Sequence, residues 1–409
     1  MKQIICSLDI GTTKIISIIS EVTEEGEKIN ILGVGVSPSS GMARGVVSDI
    51  DDLRESIRVS VRGAERISGL NMRRAYVGVS GKHVNSLNTH SVVAISRDDR
   101  LVHPSDMERV VRAAKSIDVP SDRCVIHVIP RGYTLDGQGG IKEPVGMHGF
   151  RLDSDVHIVT ASIAPIQNLL KCIRGAGVEV ADLVLASLAS AEAALDSTEK
   201  EAGVVLADIG GGTTDVAVIK QGNVWHTAIL PVGGNQITRD ISLGLGIPFE
   251  SAQKIKEAQG SMTLGEVVEG APIRDGDGYH ISSQELNYII RVRVEEILKL
   301  ILLELPSSSD PKVFIPGGVV LTGGSANIPG IAEAAQKIFG VPARVGIPQG
   351  LDGLTDTLYN PACSSAVGLI LCGMGGARGV GYVGVGVGRE GEPMKRFWDQ
   401  VVDFFTKEA

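Results

Sequence analysis

Two short stretches decide the fold of this chain: Leu-Asp-Ile-Gly-Thr-Thr-Lys at 8–14 and Ala-Asp-Ile-Gly-Gly-Gly-Thr-Thr-Asp at 207–215. In each, an apolar run leads into Asp, then glycine and hydroxyl residues, and then a second apolar run. A glycine turn between two strands presents backbone N–H groups at a concave surface, which cradles phosphate oxygens. Either stretch alone is more simply an ordinary hairpin. Because the pattern recurs, we interpret it as two related halves that clamp one phosphate chain.

The aspartates of the two stretches, Asp9 and Asp208, each stand at the end of a strand pattern. Carboxylates hold Mg²⁺ in proteins, and this ion keeps several of its waters when it is bound beside phosphates. We therefore predict that Asp9 and Asp208 share a hydrated Mg²⁺.

Two further stretches are candidates for binding a nucleoside. Val-Val-Leu-Thr-Gly-Gly-Ser-Ala at 319–326 is a buried strand pattern followed by a Gly-Gly turn, where a flat base or its sugar fits against the main chain. Alternatively it is a plain strand-to-helix turn. A helical pattern at 251–257 carries Lys254, Lys256 and Glu257, which either reach the nucleoside or form a solvated charged face.

Composition excludes several classes of protein. The 409 residues include 51 glycines, and the net charge is −9, whereas nucleic-acid-binding domains usually carry a basic footprint. The five cysteines show no two-residue spacing, which argues against a disulfide framework or a cysteine-rich zinc site. No signal peptide and no apolar run of about 18 residues is visible, so we expect a reduced, cytoplasmic protein without a membrane span.

These motifs, in this order, resemble the actin-like ATPase superfamily. The resemblance sharpens at Gly45-Val-Val-Ser-Asp49, at Tyr76-Val-Gly-Val-Ser-Gly81, at Ile141-Lys-Glu-Pro-Val-Gly-Met147 and at Val156-His-Ile-Val-Thr160, which are similar to the FtsA family of bacterial cell-division proteins. It implies an α/β actin-like fold of ribonuclease H-like, duplicated βββαβαβα halves, with a small α+β insertion subdomain and a C-terminal amphipathic helix.

The domain boundaries follow from the resemblance and from shifts in composition. We predict a first half in 1–83, 163–202 and 346–372, an inserted subdomain at 84–162, a second half at 203–345 with its outer subdomain at 235–310, a flexible glycine-rich linker at 373–393, and an amphipathic helix at 394–409.

In this family ATP sits between the halves, the protein polymerises on the cytoplasmic face of the inner membrane at the septum, and it anchors FtsZ and recruits later divisome proteins. The implied cofactors are ATP and Mg²⁺. The implied phosphate-binding residues are Gly11, Thr12, Thr13, Lys14, Gly210, Gly211, Gly212, Thr213 and Thr214. The implied nucleoside-binding residues are Gln253, Lys256, Glu257, Gly323, Gly324 and Ser325.

Two departures from the superfamily pattern bear on activity. Relatives carry a Glu where this chain has Gln253, and an amide binds ribose hydroxyls more weakly than a carboxylate does. Efficient hydrolases place a carboxylate or glutamine in the first connecting helix, but Ala186–Ser190 offers none, and we expect Glu192 to point elsewhere. The catalytic residue stays unassigned, and we expect slow hydrolysis, with enzyme activity not the primary role.

The last segment has one apolar face. At about 100° per residue its apolar side chains fall within an arc of roughly 160°. Beyond a glycine-rich linker, this pattern indicates a helix lying in the plane of a membrane rather than one docked on the core. The predicted membrane-binding residues are Met394, Phe397, Trp398, Val401, Val402, Phe404 and Phe405.

Two alternatives remain open from the sequence. An actin-like scaffold of another membrane machine, such as pilus assembly, shares the motifs, although those relatives lack a terminal amphipathic helix. A small-molecule kinase of the same fold needs a catalytic Asp in a substrate pocket, and the sequence offers no convincing candidate.

Overall fold

The structure is a computed structural model, and it describes residues 2–23, 29–115, 119–263, 273–274, 280–305, 311–374 and 383–384. The predicted membrane-binding helix at 394–409, from Met394 to Phe405 and beyond, lies outside the described residues, as does most of the predicted linker.

The first half is built on a meander of β-branched residues. Its first elements are β1 (Lys2–Ile10), β2 (Lys14–Thr23), β3 (Ile29–Pro38), the short β4 (Met42–Ala43) and β5 (Val46–Val47), α1 (Ile50–Ser68) and β6 (Arg74–Val79). The Asp49 carboxylate caps α1 by accepting from the amides of Asp51 and Asp52, and Gly69 ends it in the left-handed conformation. Leu53, Ile57 and Val61 bury one face of α1 against the sheet.

An inserted subdomain follows β6. It contains β7 (Val84–Ala94), α2 (Pro104–Lys115), β8 (Arg123–Leu135), β9 (Gln138–Ile141) and β10 (Arg151–Ser162), with β10 pairing antiparallel to both β7 and β8. Its own core lies between α2 and this sheet. The helix α2 begins at Pro104, whose missing N–H and fixed φ suit the first helical position.

The chain then returns to the first half before entering the second. It forms α3 (Ile163–Gly175), β11 (Glu179–Leu185), α4 (Ala186–Ala194) and α5 (Ser197–Ala202). The second half has β12 (Val204–Ile209), β13 (Thr214–Lys220), β14 (Asn223–Leu230), α6 (Gly234–Leu245), α7 (Phe249–Gln259), β15 (Ile273–Arg274), β16 (His280–Ile281), α8 (Ser283–Leu303), α9 (Pro311–Phe314), β17 (Gly318–Thr322), α10 (Ile331–Phe339) and β18 (Ala343–Val345).

The last described elements are β19 (Leu351–Gly353), α11 (Ser364–Gly373) and β20 (Val383–Gly384). The first-half sheet has the order β11-β6-β1-β2-β3-β19, and the second-half sheet has the order β14-β13-β12-β17-β18. Each half thus places an antiparallel hairpin beside a parallel strand: β1 lies between β2 and β6, and β12 lies between β13 and β17. This duplication confirms the predicted fold class.

Two helices, α4 and α11, cross between the halves. A Cβ at Gly368 of α11 would lie 1.7 Å from the carbonyl oxygen of Ala189 in α4. Only glycine fits there, because the two backbones touch. This close crossing fixes the two hairpin-bearing sheets relative to each other.

The inserted subdomain also touches the second half. The buried imidazole of His157 on β10 lies 2.9 Å from Thr227 Oγ1 on β14, and Ser86 Oγ donates to the Thr227 carbonyl at 2.7 Å. The Arg131 guanidinium lies 4.3 Å from the centre of the Trp225 ring. The subdomain is therefore docked on the strand next to the β12–β13 hairpin.

Candidate functional site: a cleft between two glycine hairpins

The two hairpins predicted from sequence form the same turn. In the first, the Gly11 amide donates to the Lys14 carbonyl at 3.0 Å; in the second, the Gly210 amide donates to the Thr213 carbonyl at 2.9 Å. Counted between the last paired positions, Ile10 with Ile15 and Ile209 with Thr214, each loop has four residues. In each hairpin an Asp is the second-last residue of the strand before the loop. The sequence repeat is therefore a structural repeat, with one copy in each half.

The two loops lie against each other. A Cβ at Gly211 would lie 2.4 Å from Thr13 Cγ2, and a Cβ at Gly212 would lie 2.5 Å from Thr12 Oγ1. The glycines therefore allow the hairpins to close to contact distance. Between them is a cavity of about 100 Å³, which Asp9, Asp208 and Ser365 also line.

Acidic side chains converge on this small cavity. Ser365 Oγ donates to Asp9 Oδ1 at 3.3 Å, and Ser190 Oγ of α4 donates to Asp208 Oδ2 at 2.5 Å. Burial raises the pKa of Asp9, while Lys14 lowers it in part. Burial and the nearby Asp9 charge raise the pKa of Asp208 to about 6, although the hydrogen bond from Ser190 lowers it in part.

A third carboxylate, Asp215, is also present, and sequence reasoning did not single it out. It faces Asp208 across the β12–β13 pair. Its Oδ2 accepts from Ser80 at 2.7 Å and from Thr213 at 3.1 Å, while its buried Oδ1 has no hydrogen-bond partner among the described residues. Burial, with the charge of Asp208, raises the pKa of Asp215 to about 7. A concentration of buried negative charge of this kind favours a nearby cation.

A larger cavity of about 480 Å³ opens beyond the hairpins. Lys14 lies at its inner end, and α7 and the turn after β17 form its sides. This volume is within the range of small-molecule sites. Predicted residues among its lining are Thr13, Lys14, Gly210, Gly211, Gln253, Lys256, Glu257, Gly324 and Ser325.

On α7, Lys256 faces inward and Lys254 faces solvent. The Lys256 ammonium donates to the Gly234 carbonyl at 3.1 Å, to Thr238 Oγ1 at 2.7 Å and to Gln253 Oε1 at 2.9 Å. Burial lowers the pKa of Lys256 to about 8. Lys256 thus ties α6 to α7 in the wall of the cavity, while the Gln253 amide donates to the exposed Glu257 carboxylate.

The turn after β17 is held close to the second hairpin. Gly323 has φ of +84°, and a Cβ there would lie 2.4 Å from Asp208 Oδ1. Ser325 Oγ donates to the Gly210 carbonyl at 3.4 Å. The Gly-Gly-Ser turn therefore joins the larger cavity to the carboxylates of the smaller one.

One predicted site residue points away. The Thr214 hydroxyl donates to the Val232 carbonyl at 2.8 Å, its side chain is fully buried, and it lines neither cavity. Alternation along β13 explains this, because successive side chains of a strand point to opposite faces and Thr213 takes the cavity side. All other predicted phosphate- and nucleoside-binding residues line one or both cavities.

Sequence reasoning also missed polar residues from distant segments. Ser80 and Ser365 enter the smaller cavity, and Asn327 and Asn360 line the larger one, with their amides 3.1 Å apart. Nothing in the local pattern of these residues predicts the contact. Asp215 had a signal, since a four-residue hairpin loop after Ile209 places it opposite Asp208.

Within the described ranges, no group of three or more His, Cys, Asp and Glu side chains is arranged to ligate a metal directly. Glu192 points away from the cleft, and its carboxylate forms an ion pair with the Lys200 ammonium at 2.9 Å. No helix of the described residues is long and apolar enough to cross a membrane.

Comparison with known structures defines the class of protein. A structure titled PilM-PilN type IV pilus biogenesis complex matches with a TM-score of 0.63 and 16% identity, covering 90% of this chain and 98% of that one. MreB5 of Spiroplasma citri bound to ADP matches with a TM-score of 0.52 and 15% identity, covering 89% and 94%. The chain therefore has the actin-like ATPase fold.

Sequence comparison defines the family. The family model described as Cell division protein FtsA matches residues 205–368, and that described as SHS2 domain inserted in FTSA matches residues 81–160. The Cell division protein FtsA of Pseudomonas aeruginosa is 40% identical, and the match covers 91% of this chain and 89% of that protein. The Cell division protein FtsA of Bacillus subtilis is 38% identical, and the match covers 90% of this chain and 83% of that protein. The chain belongs to the FtsA family of cell-division proteins.

Proposed function

We propose that this chain binds ATP between its two halves and polymerises on the cytoplasmic face of the membrane, where it anchors FtsZ and recruits later division proteins to the septum. The observation that carries the proposal is the pair of matched hairpins facing each other across buried carboxylates. Membership of a cell-division family supports the cellular role, and the cleft supports the nucleotide.

The two cavities suit the two ends of a nucleotide. The smaller one has backbone amides and hydroxyls of both hairpins, which suit phosphate oxygens. The larger one is lined by the Gly-Gly-Ser turn and by the aliphatic stems and polar ends of α7 side chains, which suit a base and ribose. Lys14 lines both cavities and supplies positive charge at their junction.

Asp9 and Asp208 fit a hydrated Mg²⁺. They approach the smaller cavity from opposite halves, and the buried Asp215 carboxylate adds negative charge behind them. Two carboxylates suffice to hold Mg²⁺ through its waters, because this ion keeps several of its waters when it is bound beside phosphates. When bound, Mg²⁺ neutralises phosphate charge; Asp9 and Asp208 orient its water shell.

Hydrolysis is slow in this proposal. Ser190, in the helix where efficient relatives place a water-orienting group, uses its hydroxyl to hold Asp208. Base positioning contributes about 10²–10⁴-fold to rate. Nucleotide state then acts chiefly as a conformational signal, carried by the crossing of α4 and α11.

Liposome co-sedimentation tests the proposal. The full chain and a chain stopped at Glu392 are compared, each with and without Mg-ATP, alongside Trp398→Glu/Phe405→Glu in the full chain. We expect ATP to promote pelleting of the full chain only, and added FtsZ to pellet with it. If the full chain binds ATP but stays in the supernatant, the membrane role is wrong; FtsZ remaining soluble contradicts the anchoring role.

A further inference from the structure

One edge of the inserted sheet carries a strand that comes from the far end of the chain. On one side β8 pairs with β10 along most of its length. On the other side, β9 covers only the end of β8, at Tyr133 and Leu135. Among the described residues, the remaining part of that edge is paired only by β20, where Val383 lies opposite Val128 and Gly384 opposite His127.

This part of β8 is a rigid template. Val128 and Ile129 are fully buried. The His127 ring accepts a hydrogen bond from the Leu185 amide at 3.0 Å, which fixes β8 to the first half where β11 ends. Burial lowers the pKa of His127 to about 4, so the ring stays neutral and keeps this acceptor at cytoplasmic pH. The backbone edge of β8 is therefore held ready for an added strand.

The unpaired backbone N–H and C=O groups of such an edge strand need hydrogen-bond partners. A β-branched strand with unpaired backbone groups on one side pairs readily with other chains. Arg123–Leu135 includes the run Cys-Val-Ile-His-Val-Ile at 124–129, which is of this type. Pairing with a segment of the same chain satisfies the edge without bringing in a second molecule.

The sequence around β20 suits this role. Valine and glycine alternate strictly from Val383 to Gly388. A two-residue alternation is typical of a strand rather than of an unpatterned linker. Eight residues, 375–382, lie between Met374, just after α11, and Val383, and an extended chain of nine residue steps spans up to about 30 Å. The connection can therefore be made within one molecule.

We propose that the segment at Val383–Gly384 is a docking strand that binds the β8 edge of its own inserted subdomain. The sequence alone predicts one free linker at 373–393, in which the residues from Gly373 to Gly391 have an r.m.s. span of about 25 Å. Docking divides it, and leaves nine residues between Gly384 and the terminal segment at 394–409, with a span of about 17 Å. The terminal segment is then tethered to the inserted subdomain instead of to α11.

Hydrogen–deuterium exchange of the full chain tests this proposal, with the peptides covering 123–131 as the readout. The test variant is Val383→Pro/Gly384→Pro, because proline has no N–H to donate to a neighbouring strand. The matched control is Gly376→Pro/Gly391→Pro, which places two prolines in the same glycine-rich segment away from the pairing. We expect exchange of the β8 edge amides to accelerate at least tenfold in the test variant only.

Three further comparisons test whether another segment or a second copy of the chain covers the β8 edge. Peptides covering β7 should be unchanged in all variants, which shows that the subdomain stays folded. Equal β8 exchange in wild type and test variant would overturn the proposal. Protection that disappears on dilution from about 50 to 1 µM would also overturn it, because a second copy would then supply the strand. The measurement needs neither nucleotide nor membrane, so its outcome is independent of the proposed function.

Discussion

Ser80 and Asp215 join the two halves across the cleft: Ser80 directly follows β6, the last strand before the inserted subdomain, and its hydroxyl donates to the Asp215 carboxylate on β13 at 2.7 Å. Thr213 Oγ1 lies 3.0 Å from the same hydroxyl. The root of the inserted subdomain is thus hydrogen-bonded to the hairpin proposed to hold phosphate. If this hairpin moves when a ligand binds, its hydrogen bonds to Ser80 must change.

Asp215→Asn should change how stability depends on pH. The pKa of Asp215 is about 7 in the folded chain and near 3.8 when unfolded, so its contribution to stability is full below pH 4 and is lost as the pH rises through 7. Without ligand, the wild-type melting temperature should therefore fall more between pH 5.5 and 8.5 than that of the variant, with the variant a few degrees higher at pH 8.5.

Thermal melts across this pH range measure the effect. Asp352→Asn, which removes an exposed carboxylate of the first half, is the matched control and should leave the wild-type profile unchanged. Parallel profiles for wild type and Asp215→Asn would show that the carboxylate is not under strain from its neighbours.

Gly323→Ala should be far more damaging than alanine at another glycine with positive φ. Gly323 and Gly350 both have positive φ, +84° and +72°, but only at Gly323 would a Cβ meet other atoms, Asp208 Oδ1 and the Ile209 carbonyl. The backbone penalty alone is about 1–2 kcal/mol, which Gly350→Ala should show. Gly323→Ala adds the clash, and we expect a larger loss of stability together with loss of ATP binding.

Denaturant unfolding and ATP titration of the two variants give the comparison. Equal stability of Gly323→Ala and Gly350→Ala would mean that the turn after β17 does not need to approach the second hairpin.

Lys256→Met should weaken ATP binding, and the ATP affinity of the variant should no longer fall as the pH rises from 7 to 9. The pKa of Lys256 is about 8, so its positive charge is lost as the pH rises through 8, and affinity of the wild type for an anionic nucleotide should fall between pH 7 and 9. The variant should also be less stable by about 1–3 kcal/mol, because the acceptors at Gly234, Thr238 and Gln253 lose a shared donor.

The control is Lys254→Met on the exposed side of the same helix, which should leave both properties as in the wild type. A Lys256→Met chain that binds ATP with the wild-type pH profile would exclude any role of this charge in the cleft.

Short sequence patterns predict those elements of the fold that contacts between neighbouring residues determine. The β1–β2 and β12–β13 hairpins follow from short-range sequence signals. The start of α6 at Gly234 depends instead on tertiary contacts, because carbonyls of the second hairpin accept from the Gly234 and Asn235 amides.

The candidate site divides in the same way. The repeated motif predicts the residues of the two hairpins, but Ser80, Ser365 and Asn360 reach the cavities only through tertiary folding. Thr214 was assigned by its place in the motif, although strand alternation turns it inward. The glycine-rich segment was interpreted by composition, and its two-residue period was the signal for β20.

Direct titration of ATP, with and without Mg²⁺, into the full chain and into Asp208→Asn tests the central claim, with Asp352→Asn as the matched control. Asp208 is proposed to act through Mg²⁺, so the variant should lose at least tenfold in affinity with Mg²⁺ and much less in EDTA, while the control should match the wild type. If wild type and Asp208→Asn bind Mg-ATP equally, or if the wild type does not bind it, the cleft between the two hairpins is not the nucleotide site proposed here.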